Sequence, residues 1–541
     1  MLPRSPQSWT HSLDDMEDIV LPEGDDNSRV EQALPVPRGS GARSVTRNAA
    51  ANVIRLMVTS LVAVFLPGYL THRMDLAVYG AWVLILQMSN YIAYLDFGVQ
   101  TAIAKYISEF EAKHDSVSAS RYASGGMAIT AIASVLGTAL LAIVSWLVPS
   151  LLHQLPAVLV PAVRISVMLI GVSMAARLAT SAYLSVFLGL QQYQVPMYVT
   201  IAGRVLFAGF VMTAVAFRLP LTWVAAAGAA GNVLTALLQY ISWRSAGYRI
   251  AIGWQHVRRD VLRKLISYCS VTAVWSVCAL TISGLDVVVV GHYAFKEAGF
   301  YSIATAPTTL LLTIVAALLG PLLPAASAMS ALRSPEEMGS LLAQATRFIT
   351  LLLLVTGLPL IVAGYPILRL WVGHDYAIHS LNYLRILILA NMIRNVCGPY
   401  ANMVLATARQ GVASISPIAE GVTNLFFSIF LARWMGAQGV ALGTLIGAVI
   451  GVSAHLLFSM RRTADVLTLS PGQFLRKGIL QPGIIALPWL LSAPFWWNID
   501  QLRLTNLWIW VSTIASAGLM VVALSIDDRR RLALILKKIM H

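Results

Sequence analysis

The chain has 541 residues, of which 57% are hydrophobic and only 11% charged, and its mean hydropathy is +0.72. A soluble fold of this size cannot hide so much apolar surface, so the composition excludes a water-soluble enzyme and specifies a polytopic membrane protein. The net charge of +14 is carried by short loops between apolar runs, which marks topology and not nucleic-acid binding.

Residues 1–46 are polar, with acidic clusters at Asp14, Asp15, Glu17 and Asp18 and again at Glu23, Asp25 and Asp26. They are expected to form a disordered cytoplasmic tail. The first apolar run begins near Ala49, far behind the start, so no cleavable signal peptide is expected. From there fourteen spans are predicted, each long enough to cross about 30 Å of hydrocarbon. The first six are Arg47–Leu70, Tyr79–Ala104, Gly125–Val148, Val160–Leu188, Met197–Phe217 and Leu221–Trp243. A second six are Ile266–Gly291, Ser302–Ala328, Phe348–Trp371, Leu381–Ala406, Val412–Trp434 and Val440–Met460. The last two are Ile479–Trp497 and Leu507–Ile526. The fold class is therefore all-α and polytopic.

Basic residues alternate between the loops. They are dense between spans two and three (Lys105, Lys113, Arg121), between six and seven (Arg244 to Lys264), between twelve and thirteen, and after span fourteen. That asymmetry puts both termini in the cytoplasm. The basic linker 244–265 divides the chain into a first lobe, 47–243, and a second, 266–460. Residues 461–541 add two spans and a basic tail. A faint repeat links the lobes: GLQQYQVPMYVTIAG (Gly189–Gly203) and TARQGVASISPIAEG (Thr407–Gly421) each place a Gln-containing turn before a Pro and end on Gly. Six spans apart, the two copies share one orientation, giving a parallel repeat about the membrane normal.

The stretch Tyr79–Phe110 carries Asp96 and Gly98 inside an apolar run, then turns amphipathic. A charge at mid-bilayer costs about 2.5–3.5 kcal/mol. Interrupted backbone survives at that depth only where protein or a wet cavity covers it. The stretch is thus expected to be a bent helix on the wall of a pathway.

Ionisable residues inside spans are few. The basic ones are Arg55, Arg164, Arg177, Arg204, Arg385 and Arg394, and the acidic ones Asp96, Asp286 and Glu420. Arg177 and Arg394 occupy near-equivalent places in the two lobes and lie deep in their spans. One guanidinium from each lobe suits an anion such as a diphosphate, because Arg binds phosphate oxygens bidentately. Arg55 and Arg204 are further substrate-binding candidates. Arg164 and Arg385 lie near helix ends, where they can snorkel, and Arg204 and Glu420 can also pair structurally, with each other among other choices. Asp96, Asp286 and Glu420 are the candidates for a coupling H⁺ or Na⁺. No metal spacing is found: Cys269, Cys278 and Cys397 lie singly in apolar spans. No phosphate loop, no Ser–His–Asp arrangement and no long catalytic loop is present, so the chain reads as a transporter without a cofactor and not as an enzyme.

Four motifs in order carry a family likeness: YGAWVLILQMSNYIAYLDFGVQTAIAKYISE, LDVVVVGHYAFKEAGFYSIATAP (Leu285–Pro307), PLLPAASAMSA (Pro321–Ala331) and IAEGVTNLFFSIFLARWMGAQGVALGTLIG (Ile418–Gly447). Together they resemble the polysaccharide transporters of the O-antigen flippase type, within the multidrug/oligosaccharidyl-lipid/polysaccharide exporter superfamily. The resemblance implies two six-helix lobes around a central cationic cavity, with Arg177 and Arg394 as its candidates. It implies a bacterial inner-membrane protein that moves an undecaprenyl-diphosphate-linked oligosaccharide to the outer leaflet, among membrane lipids and beside a polysaccharide polymerase and glycosyltransferases. The turn GLQQYQ departs from the basic residue many relatives have there. A multidrug/cation antiporter of the same fold would need an acidic cavity, and a membrane polymerase or ligase would need a catalytic outer loop.

Overall fold

The computed structural model describes residues 42–492, except 249, 321, 323–325, 328–334 and 408, and residues 511–519, except 517. Most of the expected tail, most of the PLLPAASAMSA motif, most of span fourteen and the basic C-terminal tail lie outside them. The described chain is helical throughout, an all-α polytopic membrane fold. Ten helices among the described residues are long and apolar enough to cross a membrane.

Seven helices make up the first part: α1 (Ala42–Thr71), α2 (Leu76–Tyr94), α3 (Val99–Ala112), α4 (Ser116–Leu151), α5 (Val160–Gly189), α6 (Gln194–Ala216) and α7 (Leu221–Ser245). Helix α5 is the hub, packing on α2, α3, α4 and α7. The second part holds α8 (Arg259–Ala279), α9 (Asp286–Tyr293), α10 (Ala298–Leu319), α11 (Pro335–Val362), α12 (Gly364–Val372), α13 (His374–Asn395), α14 (Gly398–Ala406) and α15 (Ile415–Ala454). Pro196 and Pro417 each stand third in their helices, α6 and α15.

The bend expected in the second span is present, and span seven is interrupted as well. The second is broken into α2 and α3 at Leu95–Gly98, where Phe97 and Gly98 take positive φ values of 45° and 80°. The Thr272 hydroxyl of α8 donates to the Phe97 carbonyl at 2.5 Å, so the broken backbone is satisfied by protein. Span seven is interrupted by a π turn, Leu280–Gly284. Its loosened carbonyls are taken by side chains from elsewhere: Gln87 Nε2 donates to Gly284 O at 2.6 Å, and Asn424 Nδ2 to Ile282 O.

Spans eleven and twelve are two helical legs within Gly411–Arg462 that turn back on each other at Gly436 (φ 56°, ψ −134°). The two legs touch along Gly439, Gly443, Gly447 and Gly451. A Cβ on these glycines would meet Leu431, Ser428, Asn424 and Glu420 respectively within 2.4–2.7 Å. This is small-residue packing of the kind that lets membrane helices approach closely. Glu297 caps the start of the second leg, accepting from the Ala437 N–H at 2.7 Å and from Tyr383 Oη at 3.0 Å. Phe426, Phe430 and Trp434 project outward from the first leg, 43–69% exposed, as suits a lipid-facing surface.

Candidate functional site: a carboxylate-free cavity with two arginines

A cavity of about 350 Å³ lies among α1, α2, α5, α6 and α7 and is bounded on the far side by α9 and α10. One face of α2 forms a wall: Tyr79, Trp82, Val83, Leu86, Gln87 and Asn90 recur at three- and four-residue spacing. Pro67, flanked by Leu66 and Leu70, contributes the edge from α1, while Ser302 and Thr305 of α10 add hydroxyls opposite. Neither Asp nor Glu is among the lining residues.

Two cations enter it. Arg177 comes from the middle of α5 and Arg204 from α6. Small residues bring their helices together: a Cβ on Gly203 would sit 2.5 Å from the Thr235 side chain, and one on Gly231 would sit 2.7 Å from the Phe207 backbone. That close α6–α7 contact sets Arg204 and Asn232 in one cavity. Arg177 Nη1 donates to Asn232 Oδ1 at 2.9 Å, and Arg177 Nε is buried without a hydrogen-bond partner among the described residues. Arg204 is exposed to the cavity, and among the described residues it makes no hydrogen bond or ion pair. The site therefore holds two guanidinium groups, neutral amides and hydroxyls, and aromatic surface from Tyr79, Trp82 and Phe207. Such a set can bind a phosphate-bearing headgroup through charge-assisted hydrogen bonds and can stack sugar or apolar faces on its rings.

The other expected site residues are placed elsewhere. Arg394, at the end of α13, is ion-paired through Nε with Glu420 of α15, and its Nη1 donates to Asn391 Oδ1 at 2.9 Å. It is not among the cavity's lining residues. The structure thus separates Arg177 from Arg394 and groups Arg177 with Arg204. Glu420 pairs with Arg394 and not with Arg204: α15 packs on α13, and a Cβ on Gly451 would meet the Glu420 carboxylate from the other leg. Arg55 donates to Asn52 Oδ1 one turn earlier in α1, away from the cavity. Arg385 is 5% exposed and donates from Nε to Ile361 O at 3.2 Å, so it is buried in protein and does not snorkel. Arg164 exchanges hydrogen bonds with Ser145 across α4 and α5, each 3.0 Å.

The three carboxylates differ in setting. Asp96 sits in the α2–α3 bend, where it accepts from Gln100 Nε2 at 3.2 Å. Glu420 is held by Arg394. Asp286 opens α9 just after the π turn and is 7% exposed. Its Oδ2 accepts from Tyr301 Oη at 3.3 Å and Thr444 Oγ1 at 3.2 Å, and it makes no ion pair among the described residues. No group of three or more His, Cys, Asp or Glu able to hold a metal occurs among the described residues. Sequence reasoning did not find Asn232, Gln87, Asn90, Ser302 or Thr305. The available signal was the run of polar side chains on one face of α2 and a lone Asn within span six.

No protein-family model and no curated protein sequence matches the chain. Solved structures do match its fold. The inward-facing conformation of a multidrug resistance MATE family transporter of the MOP superfamily superposes with a TM-score of 0.64 at 14% identity, covering 76% of this chain and 98% of that one. Lipid II flippase MurJ, in an inward closed conformation, superposes with a TM-score of 0.67 at 13% identity, covering 90% and 100%. A MOP superfamily transporter from Pyrococcus furiosus, for which reverse polarity of the binding pocket suggests a different function, gives 0.53 at 14% identity over 78% and 96%. The chain is thus a multi-pass membrane protein with the fold that MOP superfamily transporters share.

Proposed function

We propose that the protein is a flippase for an undecaprenyl-diphosphate-linked oligosaccharide, moving it from the cytoplasmic to the outer leaflet of a bacterial inner membrane by alternating access. One observation carries the reading: Arg177 and Arg204 share a cavity whose lining has no carboxylate. Cations within membrane spans without acidic partners are costly to maintain, and an anionic ligand repays that cost. A diphosphate entering from the inner leaflet exchanges lost water for guanidinium contacts, while the lipid chain stays in the bilayer. Rocking of the two halves then carries the headgroup across. A cation antiporter is disfavoured by the same observation, since two unneutralised arginines repel a cationic drug.

Coupling is assigned to Asp286. A buried carboxylate that accepts from two hydroxyls and feels the charge of Arg394 without pairing with it can take up H⁺ or a cation such as Na⁺. The substrate's chemistry places the protein beside glycosyltransferases that build the oligosaccharide and a polymerase that consumes it. Purified protein in proteoliposomes with a fluorescent undecaprenyl-diphosphate oligosaccharide, read by an outer-leaflet quencher, tests the reading. Protein-dependent flipping lost in Arg177→Ala and Arg204→Ala is expected. No flipping, with proton- or Na⁺-driven efflux of cationic dyes instead, would replace it with the antiporter.

A further inference from the structure

We propose that Asn232 sets the charge preference of the cavity, holding Arg177 in place with a neutral partner and so leaving its positive charge to a phosphate-bearing ligand. The inference deepens the flippase reading and rests on it. Asn232 is 3% exposed, and both ends of its amide are committed. Its Oδ1 accepts from Arg177 Nη1 at 2.9 Å, and its Nδ2 donates to Ser173 Oγ at 3.0 Å. Ser173 in turn donates to the Ile170 carbonyl at 2.6 Å, one turn back on α5. Guanidinium only donates, so the amide oxygen must be the atom that faces it. The chain Ile170–Ser173–Asn232–Arg177 therefore fixes the amide's orientation and, through it, the guanidinium. Arg177 Nε, buried and without a partner, is a donor this chain leaves unused.

A carboxylate has the same shape as the amide, and it fits once Ser173 turns its hydroxyl from the Ile170 carbonyl to donate to it. Aspartate replaces the amide NH₂ by oxygen and keeps the oxygen that faces Arg177. At that distance it would form a charge-assisted pair, as Glu420 does with Arg394 in the other half. The cavity's net charge would fall by one, and Arg177 would be neutralised inside the protein. Asn232 is thus a positioning residue whose lack of charge is its function.

The test is isothermal titration of the full chain in nanodiscs with geranyl diphosphate, and with geraniol as the uncharged counterpart. Wild type is expected to bind the diphosphate in preference to the alcohol, and Arg177→Ala to lose that preference. Asn232→Asp is expected to weaken diphosphate binding about tenfold or more, leave geraniol binding as it was, and flatten the salt dependence. Asn232→Ser, which keeps a neutral hydrogen-bonding group, is expected to weaken it by only about threefold. A role in packing alone would make Ser at least as harmful as Asp. Equal loss in both variants, or wild-type binding by Asn232→Asp beside a clear loss in Arg177→Ala, would overturn the assignment of Asn232 and leave the flippase reading standing. Failure of wild type to prefer the diphosphate would overturn both.

Discussion

Arg177 lies in the middle of α5 and Arg394 at the end of α13, and their surroundings are opposite. Arg394 is enclosed by Glu420 and Asn391, and its charge is spent inside the protein. Arg177 meets an amide in place of a carboxylate and shares its cavity with a second cation, Arg204. An arginine in a membrane helix is therefore not by itself a binding residue. The partner decides: a carboxylate makes it a structural strut, whereas an amide leaves it able to bind an anion.

Replacing Glu420 by Gln is the most severe way to break this contrast. It leaves Arg394, half-buried, without its ion-pair partner and should cost about 3 kcal/mol of stability, read as a lowered unfolding temperature in detergent. Ligand binding in the surviving folded fraction should be unaffected. Arg177→Ala inverts the pattern: affinity for a prenyl diphosphate should fall about ten- to hundredfold, the loss of a charged hydrogen bond, while the unfolding temperature hardly changes. A large loss of stability in that variant would mean Arg177 is a strut like Arg394. Gly98→Ala should cost about 1–3 kcal/mol, because its φ of 80° lies in the left-handed region and a Cβ would meet Thr272 Oγ1 at 2.6 Å. Smallest of all, Arg55→Ala should change stability by no more than about 0.5 kcal/mol, since its hydrogen bond is to its own helix. Translocation by that variant should match wild type.

Much of the architecture could be read from the residues. Span positions follow from apolar length, and the bend at Gly98 follows from a carboxylate and a glycine inside an apolar run. Pro196 and Pro417 stand at the same position of α6 and α15. What spacing does not contain is the direction in which each helix faces. Arg177, Arg204, Arg394 and Glu420 were all visible as deep charges, but pairing Glu420 with Arg394 depends on the packing of α15 on α13. The π turn at Leu280–Gly284 has no proline to announce it. Gln87 and Asn424, which satisfy its carbonyls, become meaningful only once the turn is seen. Asn232 carries no charge, and a search for ionisable groups passes over it.

The central claim is the sign of the charge the cavity prefers. It is tested most directly by competition at the purified, full-length protein between geranyl diphosphate and the lipophilic cation tetraphenylphosphonium, with thermal stabilisation as the readout. Stabilisation by the diphosphate that disappears in Arg177→Ala and Arg204→Ala, and none by the cation, is the expected result. Stabilisation by tetraphenylphosphonium that grows when either arginine is removed, with none by the diphosphate, would contradict it.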